Sequence, residues 1–554
     1  MKFRQLVFLL LFLPSTAFAN SLRIQIHGIS GEALDNVKER LNVTQTTEGE
    51  DFFRLAPKDI REALQPFGYF KPIISAKQNQ NTAIFTIDPG PLLKITRAEI
   101  KIVGEGHENP ELKKFLATFP LAPGQPLNIK NYEAAKENLF RIANNQGYLK
   151  AALSKKEIRI DLKSYSAQII LIFDTGPRYY FGHVNFEKSP YAPQFLQRFD
   201  QFKPNEPYSS QKLIKFQEDL YNSHYFRSVQ ATPDFSQQSG TTIPVNVATT
   251  VPRSQRYDVG LGYGTYTGPR LSLGANFRRV TDTGQHFDMQ LKLSSVLRGL
   301  TATYYIPGKN PLTEQYTLGA NVQYFDPKNG TSFSQTLSGT YQKTMGDWQR
   351  SASLNFLSER FMVVTEPTHR SELLYPSATL SRIKADDMIF PRLGSMFSFT
   401  LQGASQDIFS KTSFIQAETK AKGIFSPTSM SRVIVRGDVG YTTVENLNQL
   451  PLTLRYFAGG LGTVRGYPYS TIGPGKYLEV GSVEIQHKLI GDWYGAAFYD
   501  VGNASNTFNS NFNRGQGLGI IYQSFVGPVQ LYVGQALSKP GKPYALEFSI
   551  GPDF

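Results

Sequence analysis

The chain has 554 residues, a formal charge of +13 and no cysteine, which excludes a disulfide scaffold and any thiolate metal centre. Forty phenylalanines, 29 tyrosines and 46 glycines stand beside two tryptophans, and no later segment has the long apolar run of a membrane helix. Apolar residues dealt out singly among glycines and aromatics suit a membrane barrel, and the positive charge then suits anionic lipid headgroups or lipopolysaccharide phosphates better than nucleic acid.

Residues 1–19 read as an export signal. Lys2 and Arg4 precede a short apolar run, Leu6 to Leu13, that cannot span a bilayer. Ala17 and Ala19 are the small residues that a signal peptidase reads, so cleavage is expected before Asn20.

The chain then repeats itself. "FGYFKP" (67–72), "QGYLKA" (146–151) and "SHYFRS" (223–228) each follow an amphipathic helical stretch and lead into a strand-like run. The first copy reads as a strand over 22–28, helices near 31–41 and 57–66, and strands over 70–77 and 82–88. Later copies place helices near 131–145 and 209–223. Ala135, Leu139 and Ile142 share a helical face, and Gly147 ends that helix. Three β-α-α-β-β modules result, over 20–90, 91–177 and 178–253. This order resembles the POTRA domain, the periplasmic module of polypeptide-transport barrels. An exposed strand edge in so small a sheet can accept an extended peptide.

From 254 to 554 the period changes to two. Tyr257, Val259, Leu261 and Tyr263 share one face, with Asp258, Gly260 and Gly262 on the other. About sixteen alternating segments follow, starting near 255, 269, 284, 298, 315, 333, 348, 373, 395, 412, 431, 477, 493, 514, 527 and 543. An even number of antiparallel strands suits closure into an outer-membrane barrel. The expected fold is therefore α+β modules followed by an all-β barrel. The last segment turns Tyr544, Leu546, Phe548 and Ile550 outward and ends on Phe554, an ending similar to the terminal signal of outer-membrane barrels.

With the modules on the periplasmic side, the eleventh connection, 443–476, is extracellular and is the longest in the barrel. It is expected to have no regular structure of its own and to fold inward. It carries Arg465 among Gly459, Gly460, Gly462 and Gly466. Alternation puts Glu484 and Asp500 on lumen faces of neighbouring strands, with Asp500 about opposite Ser482. Two carboxylates in a partly dry interior need a cation, and a guanidinium fork bridges them better than an ammonium.

Val464-Arg465-Gly466-Tyr467, "SVEI" (482–485) and "FYDVG" (498–502), with three upstream modules, resemble the POTRA-plus-barrel superfamily of outer-membrane insertases and polypeptide transporters. Within it, the barrel subunit of the translocation and assembly module is the most similar branch. The resemblance implies a protein that helps fold and insert or translocate autotransporter-like and other barrel clients. It implies as partners unfolded clients, outer-membrane lipid and a large inner-membrane-anchored protein that reaches the modules. A weak seam is expected between the first and last strands, at Gly260, Gly262 and Gly264 with Gly551 and Phe554. No nucleic acid, cofactor, metal or catalytic residue is expected, since the seven histidines show no ligand or triad spacing. A two-partner secretion transporter and a passive porin are the alternatives.

Overall fold

The computed structural model describes residues 23–41, 50–79, 82–200, 202–265, 267–364, 366–508, 511–524 and 527–550. The expected signal segment and the seam positions Gly551 and Phe554 lie outside the described residues. By internal contact the chain divides into two compact units. One comprises residues up to 185 with 201–215 and 231–247; the other comprises 186–200, 216–230 and 248–554.

In the first module, strand Thr82–Asp88 is central, parallel to Arg23–His27 and antiparallel to Ile73–Asn79. Its alternation buries Ala83, Phe85 and Ile87 under Val37, Ile60 and Leu64 of the helices Gly31–Arg40 and Glu50–Leu64. The second of these helices starts well before the expected 57 and holds Pro57 in its interior. Phe52 and Phe53 pack their rings 6.0 and 6.3 Å from that of Phe85. Their packing offsets the hydrogen bond that Pro57 cannot donate.

The second module repeats the order, with Ser166–Asp174 central between Lys94–Val103 and Ala152–Asp161. Its long helix, Ile129–Asn145, buries Tyr132, Ala135, Leu139 and Ala143. Ala143, rather than the expected Ile142, completes the buried stripe, and Ile142 packs half-buried at its edge. The helix closes on a left-handed Gly147 (φ 90°). The Tyr148 N–H reaches the Ala143 carbonyl at 2.8 Å, and the Gly147 N–H reaches Asn144 at 3.4 Å. The same conformation recurs at Gly68 (φ 90°) and at His224 (φ 62°) in the third copy, which accounts for the repeated phrase before each tyrosine. The third sheet orders Tyr180–Glu187, Thr242–Thr250 and Ser228–Pro233, and its first helix shrinks to Pro193–Leu196 and a 3-10 turn.

Sixteen antiparallel strands then form one sheet in chain order, from Gln255–Gly264 to Tyr544–Ile550. The starts expected near 333 and 373 fall inside Gly330–Met345 and His369–Ala385, where polar lumen residues carry the strands further than the apolar pattern does. Outward positions hold the large apolar side chains; Leu261, for example, is 84% exposed. Such surface is costly in water and satisfied in hydrocarbon. Among the described residues, no helix is long and apolar enough to cross a membrane. Among those residues, also, no ladder joins the first strand to the last.

Candidate functional site

The connection between strands Ser431–Val444 and Tyr477–Ile490 has structure of its own, contrary to expectation. Two 3-10 turns, Leu447–Gln449 and Leu452–Leu454, precede an antiparallel ribbon of Tyr456–Ala458 with Ile472–Gly475. Its backbone polar groups need partners once buried, and the ribbon and turns supply some of them. Wall side chains supply others. Gln416 donates to the Leu454 carbonyl at 2.8 Å, and Asn329 donates to those of Thr471 (2.9 Å) and Gly473 (2.7 Å). Glu359 accepts from the backbone N–H of Thr453 at 3.2 Å and from its hydroxyl. Leu450, Leu452, Val464 and Tyr467 are fully buried, so the connection fills the lumen instead of capping it from outside.

At its tip, Arg465 is 1% exposed. Its Nε and Nη2 donate to Asp500 Oδ2 and Oδ1, both at 2.8 Å, and its backbone N–H donates to Oδ2 at 2.9 Å. Nη1 donates to Glu484 Oε2, and Nη2 reaches the Ser482 hydroxyl at 3.2 Å. Ser482 lies directly opposite Asp500 in the ladder and donates to its Oδ1 at 2.6 Å. The strands Tyr477–Ile490 and Trp493–Ser505 are joined by a two-residue turn that pairs Ile490 with Trp493, and an extra residue at Leu489 then shifts the ladder by one, which brings Ser482 opposite Asp500.

Five further side chains complete the site, and none of their contacts within it was expected from the sequence. Tyr532 and Gln486 donate to Glu484 Oε1 at 2.7 and 2.6 Å. Phe498 lies flat under the guanidinium, 3.6 Å from its carbon to the ring centroid, an attractive cation–π contact in a dry site. Arg436 donates to Ser482 at 3.1 Å and to the Leu461 carbonyl at 2.9 Å. Glu547, on the last strand and 1% exposed, accepts the Gly466 N–H at 2.8 Å. Two carboxylates and two guanidiniums thus meet in the cluster around Ser482: Arg465 pairs with both Asp500 and Glu484, whereas Arg436 is held by the Ser482 hydroxyl and the Leu461 carbonyl.

The loop approaches the wall where the wall has no side chains. A Cβ at Gly515 would lie 2.0 Å from the Arg465 carbonyl oxygen, and one at Gly534 would lie 2.7 Å from the Gly466 nitrogen. Cβ atoms at Gly517 and Gly519 would strike the rings of Phe498 and Tyr532. The signal for this groove was present in "RGQGLG" (514–519), where glycines alternate on the lumen face. Gly466 itself (φ 89°) is left-handed, and a Cβ there would lie 2.8 Å from the backbone of Gln535.

The seam positions are placed differently from one another. A Cβ on Gly260 or Gly264 would meet the hydroxyls of Ser272 (2.4 Å) and Thr267 (2.5 Å), whereas at Gly262 the nearest atom is 3.8 Å away. A cavity of about 430 Å³ lies between the strand ends, lined by 261–265 and 547–550 with Leu461 and Tyr469 from the loop. Among the described residues, no group of histidines and carboxylates could hold a metal ion.

Residues 239–554 match the Omp85 superfamily domain, and residues 23–89 match the POTRA domain described as TamA domain 1. The outer membrane protein assembly factor BamA of Neisseria meningitidis serogroup B is 22% identical over 424 residues, which cover 69% of this chain and 51% of that protein. The chain therefore spans about half the length of that relative. The crystal structure of BamA from Haemophilus ducreyi lacking POTRA domains 1-3 superposes with a TM-score of 0.73 at 16% identity. It covers 83% of this chain and 99% of that one, which is a likeness of fold.

Proposed function

Because the chain belongs to the Omp85 superfamily, forming an outer-membrane barrel with periplasmic modules, we propose that it helps other outer-membrane proteins fold and insert. A client strand pairs with the unpaired edge of the first strand, Gln255–Gly264, while the loop held by Arg465 keeps the wall on the far side rigid. Autotransporter-like barrels are the proposed clients, and a large inner-membrane-anchored protein is the proposed partner of the modules.

The observation that carries this reading is the seam. Fifteen ladders join neighbouring strands in chain order, and among the described residues none joins the last strand to the first. An edge exposed to hydrocarbon leaves backbone groups without partners, each costing on the order of several kcal/mol, so an incoming strand is strongly favoured there. A passive porin needs an open lumen, whereas here Leu450, Leu452, Val464 and Tyr467 lie buried within it. No step makes or breaks a covalent bond.

The chain has no cysteine, so an engineered pair is free of competing thiols. Gly262→Cys with Ser549→Cys, both lining the seam cavity, is expected to crosslink and to slow client assembly in the oxidised form, with recovery on reduction. Assembly at an unchanged rate with the bridge closed would overturn the proposal.

A further inference from the structure

Both tryptophans of the chain stand at one level of the barrel. Trp348 and Trp493 each open a strand that leaves a two-residue periplasmic turn, 346–347 and 491–492. Each faces outward, in phase with the exposed Leu354 and Phe356 on one strand and Tyr499 on the other. Indole rings favour this depth, among lipid headgroups.

Their surroundings differ. Trp493 has Ile490 and Tyr522 as its ladder partners. Trp348 has Arg382, whose guanidinium carbon lies 5.6 Å from the indole centroid. One outward step further, Arg350 stands directly opposite Lys343, and Lys384 continues the row beyond Arg382. Two acids answer these four cations. Lys343 is 2.7 Å from Glu314, while Arg382 and Lys384 share Asp347 at 2.9 and 3.8 Å. Arg350 is exposed and has neither a hydrogen bond nor an ion pair among the described residues. Like charges set directly opposite each other destabilise a ladder, and an anion between them removes that cost.

We propose that Lys343, Arg350, Arg382 and Lys384, with Trp348, bind the phosphate of an anionic glycerophospholipid in the periplasmic leaflet. The guanidinium of Arg350 holds two phosphate oxygens with parallel N–H donors. The indole lies against the glycerol backbone. The acyl chains run up the outward rows of Leu337, Leu354 and Phe356, all exposed. The excess of cations over acids selects a headgroup with net negative charge over a zwitterionic one.

The test uses the full chain in phosphatidylcholine vesicles, with tryptophan fluorescence quenched by lipids brominated near the ester. Trp493→Phe leaves Trp348 as the reporter, and Trp348→Phe leaves Trp493. Brominated phosphatidylglycerol is expected to quench Trp348 as though enriched about fivefold over brominated phosphatidylcholine. At Trp493 the two lipids are expected to quench alike. Arg350→Gln with Lys384→Gln, which spares the Arg382–Trp348 contact, should abolish the enrichment; Arg350→Gln alone should halve it or more and serves if the pair does not fold. Equal quenching at Trp348, or enrichment that survives these replacements, overturns the proposal. Relief of quenching by soluble glycerol phosphate at low concentration would assign the site to a free anion and overturn the lipid.

Discussion

Arg465 donates three hydrogen bonds to the one carboxylate of Asp500, two from its guanidinium and one from its own backbone. A side chain and its peptide thus hold the same partner, which fixes the position of the loop tip as well as the orientation of its charge. Arg465→Ala leaves Asp500 and Glu484 buried without their cation, and breaking a buried pair in this way costs about 3–5 kcal/mol. Denaturant unfolding of the refolded barrel should show that loss. Arg465→Ala with Asp500→Asn should lose less than the sum of the two single variants, because the stranded charge is gone. Additive losses would mean that the two residues do not act together.

Arg465→Lys keeps the charge and loses the fork. Asp500 Oδ1 keeps the Ser482 hydroxyl, but the two parallel guanidinium donors to its oxygens are lost, so the loop should loosen without leaving the lumen. Limited proteolysis is expected to cleave 459–467 faster in the lysine variant than in the wild type, and faster again in the alanine variant. Equal resistance in all three would show that the backbone contacts alone hold the tip.

The glycine wall makes a steric prediction. Gly515→Ala sets a methyl against the Arg465 carbonyl, which is backbone and cannot swing aside. Overpacking of this kind costs about 1–3 kcal/mol, and the proteolytic resistance of the loop should fall with it. Gly481→Ala, whose nearest neighbour is a valine methyl at 3.6 Å, should change neither.

Glu547 ties the last strand to the residue after Arg465. Glu547→Gln keeps the accepting oxygen and should leave the strand in place. Glu547→Ala leaves the Gly466 N–H buried without an acceptor, at a cost of about 1–3 kcal/mol. Hydrogen exchange over 544–550 should accelerate in the alanine variant only. Acceleration in both would mean that the charge, rather than the acceptor, sets the strand.

In the modules, Gly147→Ala puts a Cβ 2.7 Å from the Tyr179 carbonyl at a left-handed position. A loss of about 1–3 kcal/mol is expected, read as faster exchange at the end of helix Ile129–Asn145. His224 adopts the same conformation in the third copy with a side chain. Relief of that strain by His224→Gly is expected to be worth up to about 1 kcal/mol.

Local pattern determined a good deal by itself. Alternation at period two assigns each barrel residue to lipid or lumen, because a strand has only two faces. That is why Glu484 and Asp500 could be set on one wall from sequence alone, whereas the pairing of Asp500 with Ser482 depends also on the extra residue at Leu489. The helix end at Gly147 was legible for a similar reason, since few residues tolerate a positive φ. Tertiary structure decided what comes from strands far apart in the chain. Tyr532, Arg436 and Glu547 reach the loop tip because the wall curves and the loop crosses its interior, and no local period encodes either path. The ribbon and turns of the loop were hidden for the same reason. Their residues carry no alternating pattern, and they are ordered by Glu359 and Gln416 on strands, and by Asn329 in a turn, all more than thirty residues away.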